Sequence, residues 1–449
     1  MQNKIMYKKI KEIGRGGFGR VFEVENNVGE RFALKVFEPN TDVQSLIDRG
    51  LVKRENLKGR FKREVKYQSQ LNSKHIVHIV ESDLDAEQPW FVMELALGTL
   101  KDDLILDRSL GGDPSRALFD ILAGLEEIHK RDIVHRDLKP VNVLKLQNED
   151  GSIRYAISDF GLISALAAET TTLTQTGHGG GTPIYAAPEL ITKFSYASPS
   201  ADIYSVGAIL HDIFDGGSRT PYLEQTVDGP CREIVEKCTK TNPARRYQDV
   251  ASLRDAIYQA LDGKTLVFTS NAEKEIVELL QNETSLTDAN WDRVYNFINQ
   301  PDTINQSKKN VFSVFTSAHF LELANSSVEL LNALGTEFSL YVRNSSHDFD
   351  YCDVLADKVE AIFQCGSIGI KAHCLITLLI MGVGHNRYFV ENKFIRLASP
   401  TLTNNIAERI QMDIEAEEIN FIEYIRRLER SIGAKQDSLH PLLIQAINK

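Results

Sequence analysis

Up to about residue 40 apolar and polar residues alternate along the chain. The stretch "YKKIKEIGRGGFGRVFEVENNVGERFALKVFE" breaks the alternation at a glycine-rich turn and at Asn-Asn-Val-Gly, which predicts two β-hairpins. Residues 41–60 are charged and show no clear apolar stripe; a helix is expected to begin near Lys58, with Phe61 and Val65 one turn apart. "HIVHIVESDLD" and "PWFVMELAL" are strand-length runs. In "PSRALFDILAGLEEIHK" a proline start is followed by Leu118, Ile121, Leu122, Leu125 and Ile128, the spacing of a helix facing a core. After residue 190 the pattern turns mostly helical, and "LDGKT" at 261–265 marks a boundary beyond which strand signals nearly vanish. In "TDANWDRVYNFINQP", Thr287 or Asp288 caps a helix carrying Val294, Phe297 and Ile298, which Pro301 ends. "DVLADKVEAIFQ", "KAHCLITLLIMG" and "INFIEYIRRLERSIG" follow the same rule, and stacked helical hairpins are the expectation for residues 266–449.

A length of 449 residues implies two or more domains. The net charge of −11 provides no basic field for nucleic acid or an anionic membrane. Five cysteines without a CxxC or a metal-ligand spacing read as reduced thiols. The first twenty residues lack an apolar core of signal-peptide length, and the apolar run at 373–384 is too short to span a bilayer and reads as a buried helix. A cytoplasmic protein with no membrane span is expected. His373 and His385 invite a metal reading, but their separation and the scattered cysteines favour ordinary packing or surface positions.

Four features interrupt this plain background. Gly14-x-Gly16-x-x-Gly19-x-Val21 lies between strand-like segments, so it does not open a helix as a dinucleotide-binding fingerprint must. By itself it reads as a hairpin turn; glycines there also let backbone N–H groups approach phosphates. Lys35 interrupts the apolar run "FALKVFE", either as a solvated edge residue or as a phosphate partner. "HRDLKPVNVL" gathers Asp137, which can orient a hydroxyl, Lys139, a cation two residues on, and Asn142, an oxygen ligand for a hard cation. In "AISDFGL", Asp159 is a turn aspartate or a carboxylate that bridges metal and phosphate. Phosphoryl transfer needs this combination of an orienting group, oxygen ligands and cations.

Taken together, and with "GTPIYAAPEL" at 181–190, these motifs occur in the order of the eukaryotic-like (Hanks-type) protein kinases, and the chain resembles that family over residues 5–262. The resemblance implies an α+β bilobal fold, with an N-lobe at about 5–95 and a C-lobe at about 96–262, followed by a mostly helical domain at 266–449. It implies ATP with Mg²⁺, bound between the lobes. Asp137, Lys139, Lys35 and Glu64 would be catalytic, with Glu64 pairing Lys35; Asn142 and Asp159 would hold metal. Ile13, Gly14, Arg15, Gly16, Gly17, Phe18, Gly19, Arg20 and Val21 would cover the nucleotide. Ala33 and Leu144 would sandwich the adenine with Ile13 and Val21, Met93 would be the gatekeeper, and backbone groups of Glu94 and Ala96 would read the base edge. Asp202 would hold the catalytic loop, and Arg246 would pair with Glu189.

Lys139 and Thr182 resemble the serine/threonine rather than the tyrosine kinases. "TLTQTGHGGGTPIYAAPE" is similar to the activation loop of the bacterial members, where Thr174 and Thr176 match a phosphorylated pair and Arg136 would be its partner. The implied activity is ATP-dependent phosphorylation of serine and threonine in protein substrates, switched by autophosphorylation. The helical domain would serve regulation or partner binding. The alternative is a nucleotide-binding scaffold with little catalysis; the intact set Lys35, Asp137, Asn142 and Asp159 favours the enzyme. Two departures stand out. The link from Lys35 to Glu64 is long, and Gln68 occupies a position where the family commonly has an apolar residue, which leads us to expect a loosely seated helix.

Overall fold

The computed structural model describes residues 7–160, 183–192, 198–262, 266–283, 285–301 and 303–447. The chain divides into two compact units, Met1–Leu261 and Asp262–Lys449.

In the first unit the alternating N-terminal pattern becomes β1 (Lys8–Arg15), β2 (Gly19–Glu25) and β3 (Arg31–Phe37). With β4 (Ile79–Asp83) and β5 (Trp90–Glu94) they form a five-stranded antiparallel sheet in the order β1-β2-β3-β5-β4. Register sets Val21 against Lys35 and Ala33 against Met93. Opposed residues share a face, and so do residues two apart on one strand. Val21, Ala33, Lys35 and Met93 therefore line one face. Leu34, Val36, Val24 and Val92 build a separate core on the other.

The charged stretch at 41–60 is not a featureless link. It holds α1 (Thr41–Asp48), and α2 (Arg54–Gln68) starts four residues before the expected Lys58. The stripe is short, which hid it: Val43 and Leu46 are the only fully buried positions of α1. The Asn40 side chain accepts the Val43 N–H at 2.9 Å, an N-cap that starts the helix. Val43 and Leu46 then pack with Leu57, Phe61, Val65, Phe37 and Phe91 in one cluster beneath the sheet. Asn40 N–H also donates to the Gly17 carbonyl at 3.0 Å, so the extra helix steadies the glycine turn.

Below the sheet lie the short strand β6 (Gly98–Thr99), α3 (Leu100–Leu106) and the apolar helix α4 (Ser115–His129). β7 (Val143–Gln147) and β8 (Ile153–Ile157) complete a three-stranded sheet with β6. Then follow α5 (Glu189–Thr192), α6 (Pro199–Phe214), α7 (Arg232–Cys238) and α8 (Val250–Asp262). The fold class is α+β, with a sheet-based N-lobe and a helical C-lobe, as the sequence leads one to expect.

All regular elements described in the second unit are helical. Of these, α9 (Asn271–Asn282) and α10 (Asp288–Asn299) come first, and Thr287 caps α10 as expected. After α11 (Asn305–Val314), α12 (Ser317–Ser326) and α13 (Val328–Asn344) come α14 (Tyr351–Cys365) and α15 (Ile368–His385). The series ends with α16 (Tyr388–Leu397), α17 (Asn404–Ala416), α18 (Phe421–Ile432) and α19 (Pro441–Ile447). Rather than stacking as hairpins in file, α13, α14, α16, α17 and α18 gather around α15. By length and composition α15 is apolar enough to cross a membrane, yet 61% of it is buried inside the unit, as befits a central core helix. The expected histidine positions are ordinary: His385 donates through Nδ1 to the Met381 carbonyl, and His373 sits 3.8 Å from Asp413.

Candidate active site

The site assembles where the large sheet, α2 and the segment between α4 and β8 converge. Lys35 Nζ lies 2.6 Å from Glu64 Oε1 and 3.3 Å from Asp159 Oδ1. Three residues far apart in sequence thus meet around one cation. Burial works against the charged Lys35, but Asp159 and Glu64 outweigh it and raise its pKa. Asp159 is held below the usual carboxylate range chiefly by Lys35. Glu64 goes the other way: burial pushes it up to about 7, against the pull of Lys35.

A test follows for the Lys35→Ala variant. Its fold should survive near pH 6, where Glu64 can keep its proton in the folded state and no unpaired charge is buried. Between the unfolded carboxylate range and the folded value, which lies higher still once Lys35 no longer pulls it down, the folded state holds a proton that the unfolded chain has released, so stability falls as pH rises. Thermal melts at the two ends of that range should show the variant's deficit growing with pH. Phosphate transfer, if Lys35 orients phosphates, should be crippled throughout.

The second cluster is the loop from Val134 to Asn142. Lys139 Nζ bonds both carboxylate oxygens of Asp137, at 2.9 and 2.7 Å. Asn142 Nδ2 donates to the Asp137 carbonyl at 2.8 Å and to Oδ2 at 3.2 Å, which leaves its amide oxygen for another partner. Burial raises the Asp137 pKa, partly offset by Lys139.

What holds this loop is mostly buried polar bonding. The fully buried Asp202 on α6 accepts the backbone N–H of His135 at 2.8 Å and of Arg136 at 2.9 Å, and its Oδ2 lies 2.8 Å from His129 Nε2. Burial alone would raise the Asp202 carboxyl, but the His129 hydrogen bond and charge outweigh it and lower the pKa. His135 reaches the Ser158 carbonyl at 3.0 Å, and its ring packs on Phe160 at 5.2 Å. Arg136 and Asp159 both adopt the left-handed backbone region, with φ of 67° and 64°. Glu189 and Arg246 form the expected bidentate pair, at 2.8 and 2.7 Å.

The nucleotide-facing candidates fall into place around these groups. Gly14, Val21 and Lys35 lie in one row across three strands. Gly16 N–H closes the turn on the Gly19 carbonyl at 2.9 Å. A Cβ on Gly19 would come within 2.9 Å of the Val36 carbonyl, so only glycine fits there. Arg20 binds Glu12 and Glu38, Arg15 lies 3.9 Å from Glu38, and Phe18 packs on the cluster beneath the sheet. Met93, Ala96 and Leu144 all pack on Val77, Leu146 and Ala156, with Ala33 paired to Met93. Ile13 is exposed on β1. Glu94 N–H bonds the His78 carbonyl at 3.3 Å, so its own carbonyl is the group available to a base edge. Gly161, Thr174, Thr176 and Thr182 lie outside the described residues.

Oxygen donors on Asp159, Asn142 and Asp137 are the set a hard cation such as Mg²⁺ takes. The glycine turn and Lys35 are suited to phosphates, so the residues present fit a magnesium nucleotide.

Gln68 corrects one expectation. It is buried at 2% exposure, and its Nε2 donates to the Val77 carbonyl at 2.7 Å, so α2 is tied down rather than loosely seated. Sequence reasoning also passed over His129, His75 and Asp120. A histidine and an aspartate within apolar α4 were the signal: polar residues on a buried face need partners.

Comparison with known proteins agrees with this geometry. A sequence model of the protein kinase domain matches residues 7–284. The carbon catabolite-derepressing protein kinase of Candida tropicalis is 31% identical over 230 residues, 51% of this chain and 34% of that protein. Serine/threonine-protein kinase PknL of Mycobacterium tuberculosis is 32% identical over 218 residues, 43% of this chain and 52% of that protein. The probable serine/threonine-protein kinase PknB of Lactococcus lactis is 30% identical over 308 residues, 63% of this chain and 46% of that protein. The matches span between a third and about half of the length of these relatives.

Proposed function

This chain belongs to the protein kinase family, and from that premise we propose that it transfers the γ-phosphate of ATP to serine or threonine hydroxyls of proteins. The observation that carries this reading is the convergence of Lys35, Glu64 and Asp159 beside the braced Asp137–Lys139–Asn142 loop. In this reading Asp137 accepts the hydroxyl proton of the substrate, its raised pKa bringing it nearer to that task. Lys139 holds the Asp137 carboxylate in place and offers positive charge to the moving phosphoryl group. Lys35, anchored by Glu64, orients the phosphates, while Asp159 and the Asn142 amide oxygen would hold Mg²⁺. The metal, when bound, neutralises charge that spreads over the phosphate oxygens. Val21, Ala33, Met93 and Leu144 supply the apolar slot for the base. The test is transfer of labelled γ-phosphate to a general protein substrate by the purified full chain, followed by phosphoamino acid analysis. Label on tyrosine alone would refute the substrate class. Nucleotide binding without any transfer would favour the scaffold reading.

Regulation is proposed to run through the loop after Asp159. Arg136 is next to the catalytic aspartate, and a phosphothreonine would offer it nearly two negative charges and three acceptor oxygens. Autophosphorylation at Thr174 or Thr176 is expected, with activity falling sharply in the Thr174→Ala/Thr176→Ala variant and Arg136→Ala blunting the dependence on phosphorylation. Mass spectrometry showing both threonines unmodified in active protein, with full activity in the double variant, would rule this out. The helical second unit is proposed to serve regulation or partner binding, in a protein that works in the cytoplasm.

A further inference from the structure

Like Glu64 and Arg60, Gln68 carries a polar side chain of α2 into the interior, and it lies one helical turn after Glu64. Its surroundings form a chain of hydrogen bonds. Gln68 Nε2 donates to the Val77 carbonyl at 2.7 Å, and Val77 N–H donates to the Ile157 carbonyl at 3.0 Å. Ile157 N–H returns to the His75 carbonyl at 2.9 Å, so His75 and Val77 flank Ile76 in a parallel bridge to Ile157. The segment 75–77 is fixed to α4 as well. His75 Nδ1 lies 3.2 Å from Asp120, and a Cβ on Gly124 would come within 2.7 Å of the His75 carbonyl. Ile157 is the last residue of β8, two before Asp159. Hence one side-chain amide connects the helix that carries Glu64 with the strand that leads to Asp159, the two carboxylates that share Lys35.

The amide orientation is dictated by chemistry, since two acceptors cannot face each other: the NH₂ must point at the Val77 carbonyl. Gln68 Oε1 is then left buried with no hydrogen-bond partner among the described residues. Such an atom is destabilising. An apolar side chain of similar volume would fill the space without that penalty, so packing does not explain the glutamine.

We propose that Gln68 is a positioning residue for phosphoryl transfer: its directional bond to Val77 sets the register of Glu64, and through it Lys35, against Asp159. This rests on the kinase reading above. An apolar contact in the same place would let α2 slide along its axis, whereas a hydrogen bond of 2.7 Å to a clamped carbonyl does not.

Two variants of the full chain test it. Gln68→Met keeps the volume and removes both the bond and the unpartnered oxygen. It should melt no lower than the parent, exchange the amide hydrogens of Arg54–Gln68 faster, and lose kcat on the order of tenfold through misalignment of Lys35. KM for the protein substrate should hardly move. Gln68→Glu keeps the shape but donates to Val77 only when protonated. Its activity relative to the parent at the same pH should therefore recover as pH is lowered. Glu64 on the same helix, Lys35, Asp159, His75, His78 and Asp120 are the titratable and charged groups around this junction. All are present in both proteins, so the ratio isolates residue 68. Parental kcat and parental amide exchange in Gln68→Met, or a pH-independent ratio for Gln68→Glu, would overturn the proposal. Should the parent itself transfer no phosphate, the kinase reading fails, and the exchange measurement alone still decides whether Gln68 holds the helix.

Discussion

Replacing Asp137 by alanine should reduce phosphate transfer by about 10²-fold or more while leaving nucleotide binding and the thermal melt close to those of the parent. The loop does not depend on that carboxylate for its shape. Asn142 keeps its bond to the Asp137 backbone carbonyl, and Asp202 keeps the N–H groups of His135 and Arg136. Among the described residues, Asn142 gives up its longer bond to Oδ2, and Lys139 loses its partner but is close enough to the surface to turn to water. Asp159→Asn should give a loss of similar size, on the order of 10²-fold, if Asp159 holds the metal as proposed. It should differ in one respect: excess Mg²⁺ should recover part of the Asp159→Asn activity and none of the Asp137→Ala activity. Labelling of a protein substrate at parental rates by either purified variant would end the assignment of these two residues.

The other large effect lies in the second unit. Arg387 meets Asp353 through two bonds of 2.7 and 2.6 Å, and both side chains are almost fully buried. Further along the same two helices, Lys393 pairs with Asp357 and Glu360, and Arg396 with Glu360. Acidic residues of α14 thus face basic ones at the start of α16 and along it. Asp353→Ala would leave the guanidinium buried with its main partner gone, a change that typically costs about 3–5 kcal/mol. Asp353→Leu combined with Arg387→Met should recover most of that, since it removes both charges together. Denaturant titration followed by a probe in the second unit, such as Trp291 fluorescence, separates these outcomes. A single variant as stable as the parent would mean that water reaches this pair.

Much of this architecture can be read from the sequence, and the limits have physical causes. Strands β1–β3 are legible as strand-length runs set off by glycine-rich turns, although β1 is exposed along nearly its whole length and β3 is buried on both faces. The spacing of Asp137, Asn142 and Asp159 is legible because they lie on short segments between recognisable elements, while Lys35 stands out as a charge within the apolar strand β3. Helix α1 was missed since only two of its positions are fully buried, too few to make a stripe among charges. The seating of α2 was misjudged for a different reason. A glutamine is polar in sequence, and nothing local reveals that its NH₂ will find the carbonyl of Val77, nine residues on and across a turn. That Asp202 holds the loop is legible from the resemblance, but its partner His129 lies 73 positions away, a separation at which pattern says little.

The positive φ angles of Arg136 and Asp159 have a consequence for how the site exists in time. A non-glycine residue held there costs about 1–3 kcal/mol, and each 1.4 kcal/mol is a tenfold bias in population. Cut free from the scaffold, a peptide with the sequence of the loop would visit this arrangement only as a rare excursion. Asp202, through the Arg136 N–H, and Lys35, through the Asp159 carboxylate, turn that minority conformer into the resident one. The loop is therefore ready before any ligand arrives, and a fragment or short mimic built on "HRDLKPVNVL" should show none of its chemistry.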